Sequence, residues 1–220
     1  GNPTLQPEKV FNVEAMMLYK WLNVSVGYKY LKDVMEWTKY IYPGKEFAYN
    51  TSLNFDHKQL LYASVNVSPK LGIFRPTWGF NYNQQFFDTR KYGASKALSK
   101  PLLSCSLNNN FALSETMNAA IRLNASTTHA DGFLMMKSGY SVNLQFDKSF
   151  ANRTWIIYLS ANDIFKTAKE RWTMYGLGAG TTKDCYNYTR CISLQVTYNF
   201  NAKRSKYKGT GAGNEEKSRL

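Results

Sequence analysis

The amino-acid sequence predicts an all-β fold: a portion of an antiparallel, up-and-down transmembrane β-barrel. Three observations predict it. Apolar and polar residues alternate with a period of two, short and long connections alternate between these segments, and the polar face is mostly Asn, Gln, Ser, Thr and Gly. Such alternation is typical of strands with one apolar face. In a transmembrane barrel, strands of about 9–11 residues turn apolar side chains toward lipid and polar ones toward the lumen.

The alternation indicates nine strands. It is clearest near the end of the chain, where Ile192, Leu194 and Val196 alternate with polar residues. Three residues are exceptions: Asn109 falls on the otherwise apolar face of its segment, and Ile156 and Tyr158 fall on the polar face of theirs. The predicted strands are 9–19, 22–31, 59–68, 77–87, 101–113, 117–126, 139–147, 154–165 and 189–200.

The connections between these strands differ in length in a regular order. Short turns are predicted at 20–21, 69–76, 114–116 and 151–153. Long, polar, turn-rich loops are predicted at 32–58, 88–100, 127–138 and 166–188. Because successive strands of a meander run in opposite directions, all short turns fall at one end of the sheet and all long loops at the other. This is the arrangement of outer-membrane barrels.

Aromatic residues recur at both ends of the predicted strands. A Trp stands at or beside three of the short turns, and another aromatic residue follows roughly nine positions later in each strand. Nine residues at about 3.3 Å, tilted by about 40°, rise about 23 Å, which is close to the height of the apolar band. The predicted membrane-interface aromatics are Trp21, Tyr30, Trp78, Phe86, Trp155, Phe165, Tyr198 and Phe200.

The net charge of +13 points at first to nucleic acid or to an anionic membrane surface. The basic residues are concentrated outside the regular strand faces, notably in 88–100 and in 201–220. A soluble basic β-protein that binds nucleic acid is therefore the least favoured alternative, and we expect no nucleic-acid partner. We divide the chain into barrel residues 1–200 and a basic tail, 201–220.

No catalytic or metal-binding constellation is present in the sequence. His57 and His129 are the only histidines and lie far apart, so we expect no metal site, no cofactor and no enzymatic activity. Cys185 and Cys191 flank five residues and are candidates for a small disulfide-closed loop; the alternative is two unpaired thiols.

Several segments resemble the C-terminal part of TonB-dependent outer-membrane receptors, in particular the outer-membrane β-barrel family common in Bacteroidetes. Gly1–Glu8 resembles the Gly-Asn-Pro-x-Leu-x-Pro-Glu segment that precedes a barrel strand in these receptors. Asn162–Phe165 resembles an Asn-Leu-Phe-Asp-like segment of the penultimate strand, although here the acidic residue precedes the aromatic one. Thr189–Phe200 resembles the closing strand, and Lys206–Leu220 resembles the family's C-terminus.

The resemblance implies a barrel of 22 strands in the outer membrane of a Gram-negative bacterium, of which this chain would be about the last nine. It places the C-terminal tail and the short turns in the periplasm and the long loops outside the cell. We expect a fragment that lacks a signal peptide, the plug and the first strands. The resemblance implies energised uptake of a large nutrient such as a siderophore, cobalamin, glycan or peptide.

The partners implied are outer-membrane lipid and lipopolysaccharide, the missing N-terminal strands and plug, the TonB complex through that plug, and a surface lipoprotein. The alternative function is a passive pore or structural barrel. The candidate substrate contacts in the long loops are Trp37, Tyr40, Tyr42, Tyr92, His129, Phe133 and Trp172.

Overall fold

A computed structural model of the chain describes residues 2–41, 44 and 46–200. They form thirteen β-strands, and none of the described residues belongs to a helix long and apolar enough to cross a membrane. The strands are β1 (Lys9–Tyr19), β2 (Leu22–Tyr40), β3 (Tyr49–Val67), β4 (Phe74–Phe86), β5 (Leu102–Ser114), β6 (Met117–Ser126), β7 (His129–Asp131), β8 (Leu134–Met136), β9 (Gly139–Phe150), β10 (Trp155–Asn162), β11 (Lys169–Tyr175), β12 (Gly180–Tyr186) and β13 (Cys191–Tyr198).

Nine strands form one antiparallel sheet in the order β1-β2-β3-β4-β5-β6-β9-β10-β13. Each corresponds to one of the nine strands predicted from the sequence, in the same order. The sheet is open: within the described part of the chain, β1 and β13 are edge strands, each paired on one side only. The antiparallel all-β architecture is thus confirmed, while closure into a barrel of 22 strands stays a prediction.

The strand register places the predicted apolar residues on one face, which we call the outer face. One row across it runs through Val26, Ala63, Tyr82 and Leu103. The opposite, inner face is polar and carries a matching row of Ser25, Ser64, Asn81, Ser104, Ser126 and Gly139. Because directly paired residues project to the same side of a sheet, period-two patterns in separate strands combine into two continuous faces.

Asn109, the polar exception on the outer face, has a partner there. Its Oδ1 accepts a hydrogen bond of 2.9 Å from the indole Nε1 of Trp78 on the neighbouring strand. A Trp N–H facing lipid would otherwise lack an acceptor, and an unpaired polar group in an apolar medium costs free energy. The Asn109 amide on the outer face therefore serves as the hydrogen-bond acceptor for the indole N–H of Trp78.

The loop predicted at 32–58 is largely strand, because β2 continues to Tyr40 and β3 begins at Tyr49. The sequence pattern breaks at Asp33, which has a left-handed backbone with φ of 56°. Leu31 and Val34 are both buried on the inner side, three residues apart instead of two. This phase shift hides the strand extension from a period-two search.

Residues 127–138 and 166–188, predicted as loops, build a second sheet of four strands in the order β12-β11-β8-β7. The predicted strand 154–165 is shorter than expected, since β10 ends at Asn162 and Phe165 lies beyond it. Only 88–100 keeps the expected character of a loop without strands. The loop end of the molecule is therefore a folded layer rather than a set of solvated loops.

Candidate functional site

An aromatic cluster fixes the second sheet against the inner face of the large sheet. Phe133, in the turn between β7 and β8, is fully buried, and its ring lies 4.9 Å from Phe55 and 5.3 Å from Phe87. Tyr92 from the 88–100 loop closes the cluster, 4.8 Å from Phe55. Burial of each such ring contributes about 1.5–3 kcal/mol, so the cluster is the main source of cohesion here.

The Gln85 side chain makes the polar connection beside this cluster. It projects from the inner face of β4, and its amide clamps the β7–β8 turn: Oε1 accepts from Gly132 N (2.8 Å) and Nε2 donates to Gly132 O (3.2 Å). The same Nε2 donates to Leu98 O (2.7 Å). Gly132 has a φ of 53°, and a Cβ there would collide with the Glu36 carboxylate. A glycine at this position lets the turn approach the wall.

A buried ion pair lies on the other side of the same turn. Lys58 Nζ is 2.6 Å from Glu36 Oε1, and the lysine side chain is only 8% exposed. Burial raises the pKa of Glu36, while the charge and hydrogen bond of Lys58 oppose that rise. Asp131 of β7 is 3.9 Å from the same ammonium group. The pair therefore joins the strand extensions of β2 and β3 to the second sheet.

Asp163 organises the connection from β10 to the second sheet. Its Oδ1 accepts hydrogen bonds from the backbone N–H groups of Thr167 (2.8 Å) and Ala168 (3.1 Å), and its Oδ2 accepts from Thr189 Oγ1 (2.8 Å). Burial of this carboxylate opposes ionisation, but the hydrogen bonds outweigh it and lower the pKa of Asp163. The ionised carboxylate thus holds the turn that leads into β11.

A polar groove of about 550 Å³ lies between the inner face and the segment that enters β11. One wall is the inner face near the loop ends of β4, β5, β6 and β9, and the other includes residues 167–170 and Asn187. The inner wall offers hydroxyl and amide groups from Asn81, Ser104, Ser106, Asn124, Ser126 and Ser141. This wall is well suited to hydroxyl-bearing or amide-bearing solutes, since it both donates and accepts hydrogen bonds.

Glu170 is the acidic residue in the lining of this groove, and its oxygens are engaged. They accept hydrogen bonds from Lys183 Nζ (2.7 Å), Trp172 Nε1 (2.9 Å) and Asn187 Nδ2 (3.2 Å). The hydrogen bond from Lys183, followed by those of Trp172 and Asn187, lowers the pKa of Glu170 to about 2. Glu170 is thus ionised at neutral pH and fixes the β11–β12 pair.

The structure disperses the substrate contacts predicted from the sequence. Trp37 lies on the β2 extension, on the face opposite Glu36, and is half exposed. Tyr40 ends β2 and bridges to Leu177, while Tyr42 lies outside the described residues.

Two predicted contacts belong to the core of the loop end instead. Phe133, expected in an exposed loop, is fully buried, and Tyr92 packs beside it with its hydroxyl accepting from Asp56 N (3.2 Å). His129 Nδ1 donates to Thr127 O (2.8 Å). Trp172 follows Glu170, a lining residue of the groove, by two positions, and its indole Nε1 donates a hydrogen bond to the Glu170 carboxylate.

The predicted interface aromatics do not all fall at strand ends: Tyr30 lies in the middle of the extended β2, and Phe165 and Phe200 lie beyond β10 and β13. Tyr30 and Phe86 share a row of the outer face through Gln59. At the turn end, the rings of Trp155 and Tyr198 are 4.5 Å apart. Trp21 and Phe165 are exposed, and Phe200 packs on Tyr198 at 4.5 Å. Their role at a membrane interface stays a prediction.

The three cysteines are free thiols. The predicted Cys185–Cys191 bridge is not formed: Cys185 Sγ donates to Asn187 Oδ1, and Asn162 Nδ2 donates to Cys191 Sγ. Among the described residues, no group of three or more His, Cys, Asp or Glu side chains is placed to hold a metal ion.

Sequence reasoning missed the residues that line the groove. The alternation places the Ser and Asn residues of the inner wall on the lumen face, but it does not show that they lie together near the loop ends of four adjacent strands. Thr167, Lys169 and Glu170 fell inside a predicted loop. One feature of the sequence could have indicated them: residues 166–170 closely follow Asp163, the acidic residue of the Asn162–Phe165 segment.

A family model and a solved structure are similar to this chain. No curated protein matches the chain. Among solved structures, it is similar to in-vitro folded OmpT, an outer membrane protein of Vibrio cholerae, with 11% identity and a TM-score of 0.49. That match covers 88% of this chain and 56% of the OmpT chain. The model of the outer membrane protein beta-barrel family matches residues 1–198. The chain therefore belongs to the outer membrane protein beta-barrel family and is a protein of the outer membrane.

Proposed function

We propose that the chain forms part of the wall and mouth of a TonB-dependent receptor that takes up a large solute. The observation that carries the proposal is the second sheet, which folds over the inner face and leaves a polar groove beneath it. A passive pore needs an unobstructed lumen, whereas a receptor needs an ordered surface that retains its solute. The sequence resemblance to such receptors supports the same function.

The two open edges of the large sheet support a wall made from more strands than these nine. Exposed, unpaired edges favour pairing with further strands. β1 bears apolar residues on both sides, with Met16 and Leu18 exposed on the inner face and Phe11 and Val13 exposed on the outer face. We propose that further barrel strands pair with β1 and β13, and that a plug covers the inner apolar patch on β1.

The remaining partners are proposed on the same basis. Outer-membrane lipid would contact the outer face, lipopolysaccharide the basic loop end, and TonB the plug. A surface lipoprotein would meet the second sheet from outside the cell. Neither a catalytic reaction nor a nucleic-acid partner is part of the proposed function.

The proposal is tested on the whole protein that carries this chain. Purified protein is reconstituted in planar lipid bilayers, and its binding to the purified C-terminal domain of TonB is measured in parallel. We expect no steady conductance in KCl and specific binding to TonB. Steady conductance without TonB binding would refute the receptor function and favour a passive pore.

A further inference from the structure

A basic hollow of about 510 Å³ adjoins the polar groove. Lys166, Lys169 and Arg171 line it, and no acidic side chain is among its described lining residues. Lys169 also lines the groove, as do Thr167 and Ser126, so the two cavities share a boundary. A solute in the groove could therefore extend a group into the hollow.

The three cations of the hollow have no acidic partner among the described residues. Arg171 Nη2 donates to the backbone carbonyl of Ser138 (2.7 Å), which orients the guanidinium without neutralising it. The Lys166 ammonium lies 5.3 Å from the ring centre of Tyr186, and Lys169 has no side-chain partner within the described chain. Asp184 faces Arg171 across the β11–β12 pair, but the two form no ion pair.

Two nearby acidic groups, Glu170 and Asp163, are committed elsewhere, and a third, Asp184, is exposed on β12 across from Arg171. Glu170 pairs with Lys183 at 2.7 Å and points its second oxygen at Trp172. Asp163 is buried and accepts from the backbone of the turn that carries Lys166. Because this turn is held by Asp163, the lysines are attached to ordered backbone. The lining of the hollow thus holds three cations without an ion-pair partner in the described chain, beside a neutral, hydrogen-bonding wall, and Asp184 is the unpaired carboxylate across the strands from Arg171.

We propose that this hollow binds an oxyanion group, a phosphate or a carboxylate, of the solute that occupies the groove. Ammonium and guanidinium groups make charge-assisted hydrogen bonds with such oxyanions, and the ammonium groups of Lys166 and Lys169 are exposed and accessible to a solute. The amides and hydroxyls of the inner wall bind the uncharged polar remainder of the solute. The inference rests on the proposed receptor function, because it assigns the chemistry of that receptor's cargo.

The first test compares three probes of similar size by isothermal titration calorimetry on the whole protein in detergent: glucose 6-phosphate, glucuronate and glucose. We expect at least one of the two charged probes to bind at least tenfold more tightly than glucose, with an affinity that falls as salt is added. The tighter charged probe identifies the preferred oxyanion. Equal affinity for the three probes, or no binding of either charged probe, would overturn the proposal.

The second test uses charge-removing variants with a matched control. Lys169→Gln should weaken binding of the charged probe about tenfold, because it removes one charge-assisted hydrogen bond. Lys100→Gln removes the same charge from an exposed residue at the same end of the molecule and outside the hollow, and it should leave the affinity unchanged. Heat-modifiable migration verifies folding, and Lys166→Gln replaces Lys169→Gln if the latter does not fold. Full affinity in the hollow variant, or an equal loss in Lys100→Gln, would contradict the site.

Neither test contains TonB, so their outcome is independent of the receptor experiment. Oxyanion binding without TonB binding would remove the receptor function and leave the site in place. TonB binding without oxyanion binding would remove the site and leave the receptor function.

Discussion

The connection between β10 and the second sheet should open when the Asp163 carboxylate is removed. This side chain is 2% exposed and accepts hydrogen bonds from Thr167 N, Ala168 N and Thr189 Oγ1 at 2.8–3.1 Å. A hydrogen bond to a charged group contributes about 1.5–3 kcal/mol, and the three share one carboxylate and are not additive. We take about 3 kcal/mol as the loss in Asp163→Ala, which raises the open population roughly 100-fold.

Limited trypsin digestion of the whole protein in outer-membrane vesicles measures this opening, because cleavage after Lys166 and Lys169 requires an unfolded turn. When closing is faster than cleavage, the rate follows the open population. Asp163→Ala should therefore be cut roughly 100-fold faster. Asp163→Asn keeps one oxygen for the backbone donors and loses mainly the charge, so an increase of about fivefold, or about 1 kcal/mol, is expected.

Asp184→Ala provides the matched control. Asp184 is an exposed carboxylate on neighbouring β12, without an ion pair or side-chain hydrogen bond in the described part of the chain. Its removal should leave the cleavage rate unchanged. If Asp163→Ala were cut no faster than Asp184→Ala, the turn would not depend on Asp163, and the assignment of this carboxylate as its organiser would be wrong.

Three further changes test the loop end and the outer face. The β11–β12 pair should loosen as the pH falls from 4.5 toward 2, because the pKa of Glu170 is about 2 instead of its ordinary 4.5 and the ionised carboxylate stabilises the pair fully only above pH 4.5. Faster hydrogen exchange of the β11 and β12 amides should show this loosening, and Glu170→Gln should abolish its pH dependence. Asn109→Leu should lower the free energy of unfolding in urea by about 1 kcal/mol, since the indole N–H of Trp78 loses its acceptor. Adding Trp78→Phe should restore most of that free energy, and strictly additive losses in the double variant would argue against the hydrogen-bonded pair. Lys58→Met should lower the free energy of unfolding by about 3 kcal/mol, because it leaves the buried Glu36 carboxylate without its cation. Combining it with Glu36→Leu should restore most of that loss, and a double variant as unstable as Lys58→Met would contradict the role of the ion pair.

The nine strands of the large sheet could be predicted because their signal is local. Apolar and polar residues alternate along each strand, and each strand pairs with the next of the nine along the chain. The order of the strands in the sheet therefore equals their order in the sequence. The face assignment followed from the same alternation. The alternation also places the polar exception Asn109 on the outer face, but it does not indicate the hydrogen bond that Asn109 accepts from Trp78.

The second sheet could not be predicted by the same means. Its strands β7 and β8 have three residues each, too few for a period to show, and β8 pairs with β11 more than thirty positions later. The extension of β2 was hidden by the left-handed residue Asp33, which shifts the alternation by one. Buried aromatic residues such as Phe133 then look like exposed loop residues, because the surface that covers them comes from distant parts of the chain.

The positive charge acquires meaning only after its partners are known. Lys58, Lys91 and Lys183 all have carboxylate partners within 4 Å, so their charges stabilise the loop end itself. Lys169 has none in the described chain, and it borders both the groove and the hollow. A net charge of +13 treats these four lysines alike, although a cation without an ion-pair partner has more of its charge available to a ligand. We therefore expect function to depend on the cations without ion-pair partners, such as Lys169, rather than on the net charge, because Lys169 borders a groove whose inner wall is polar.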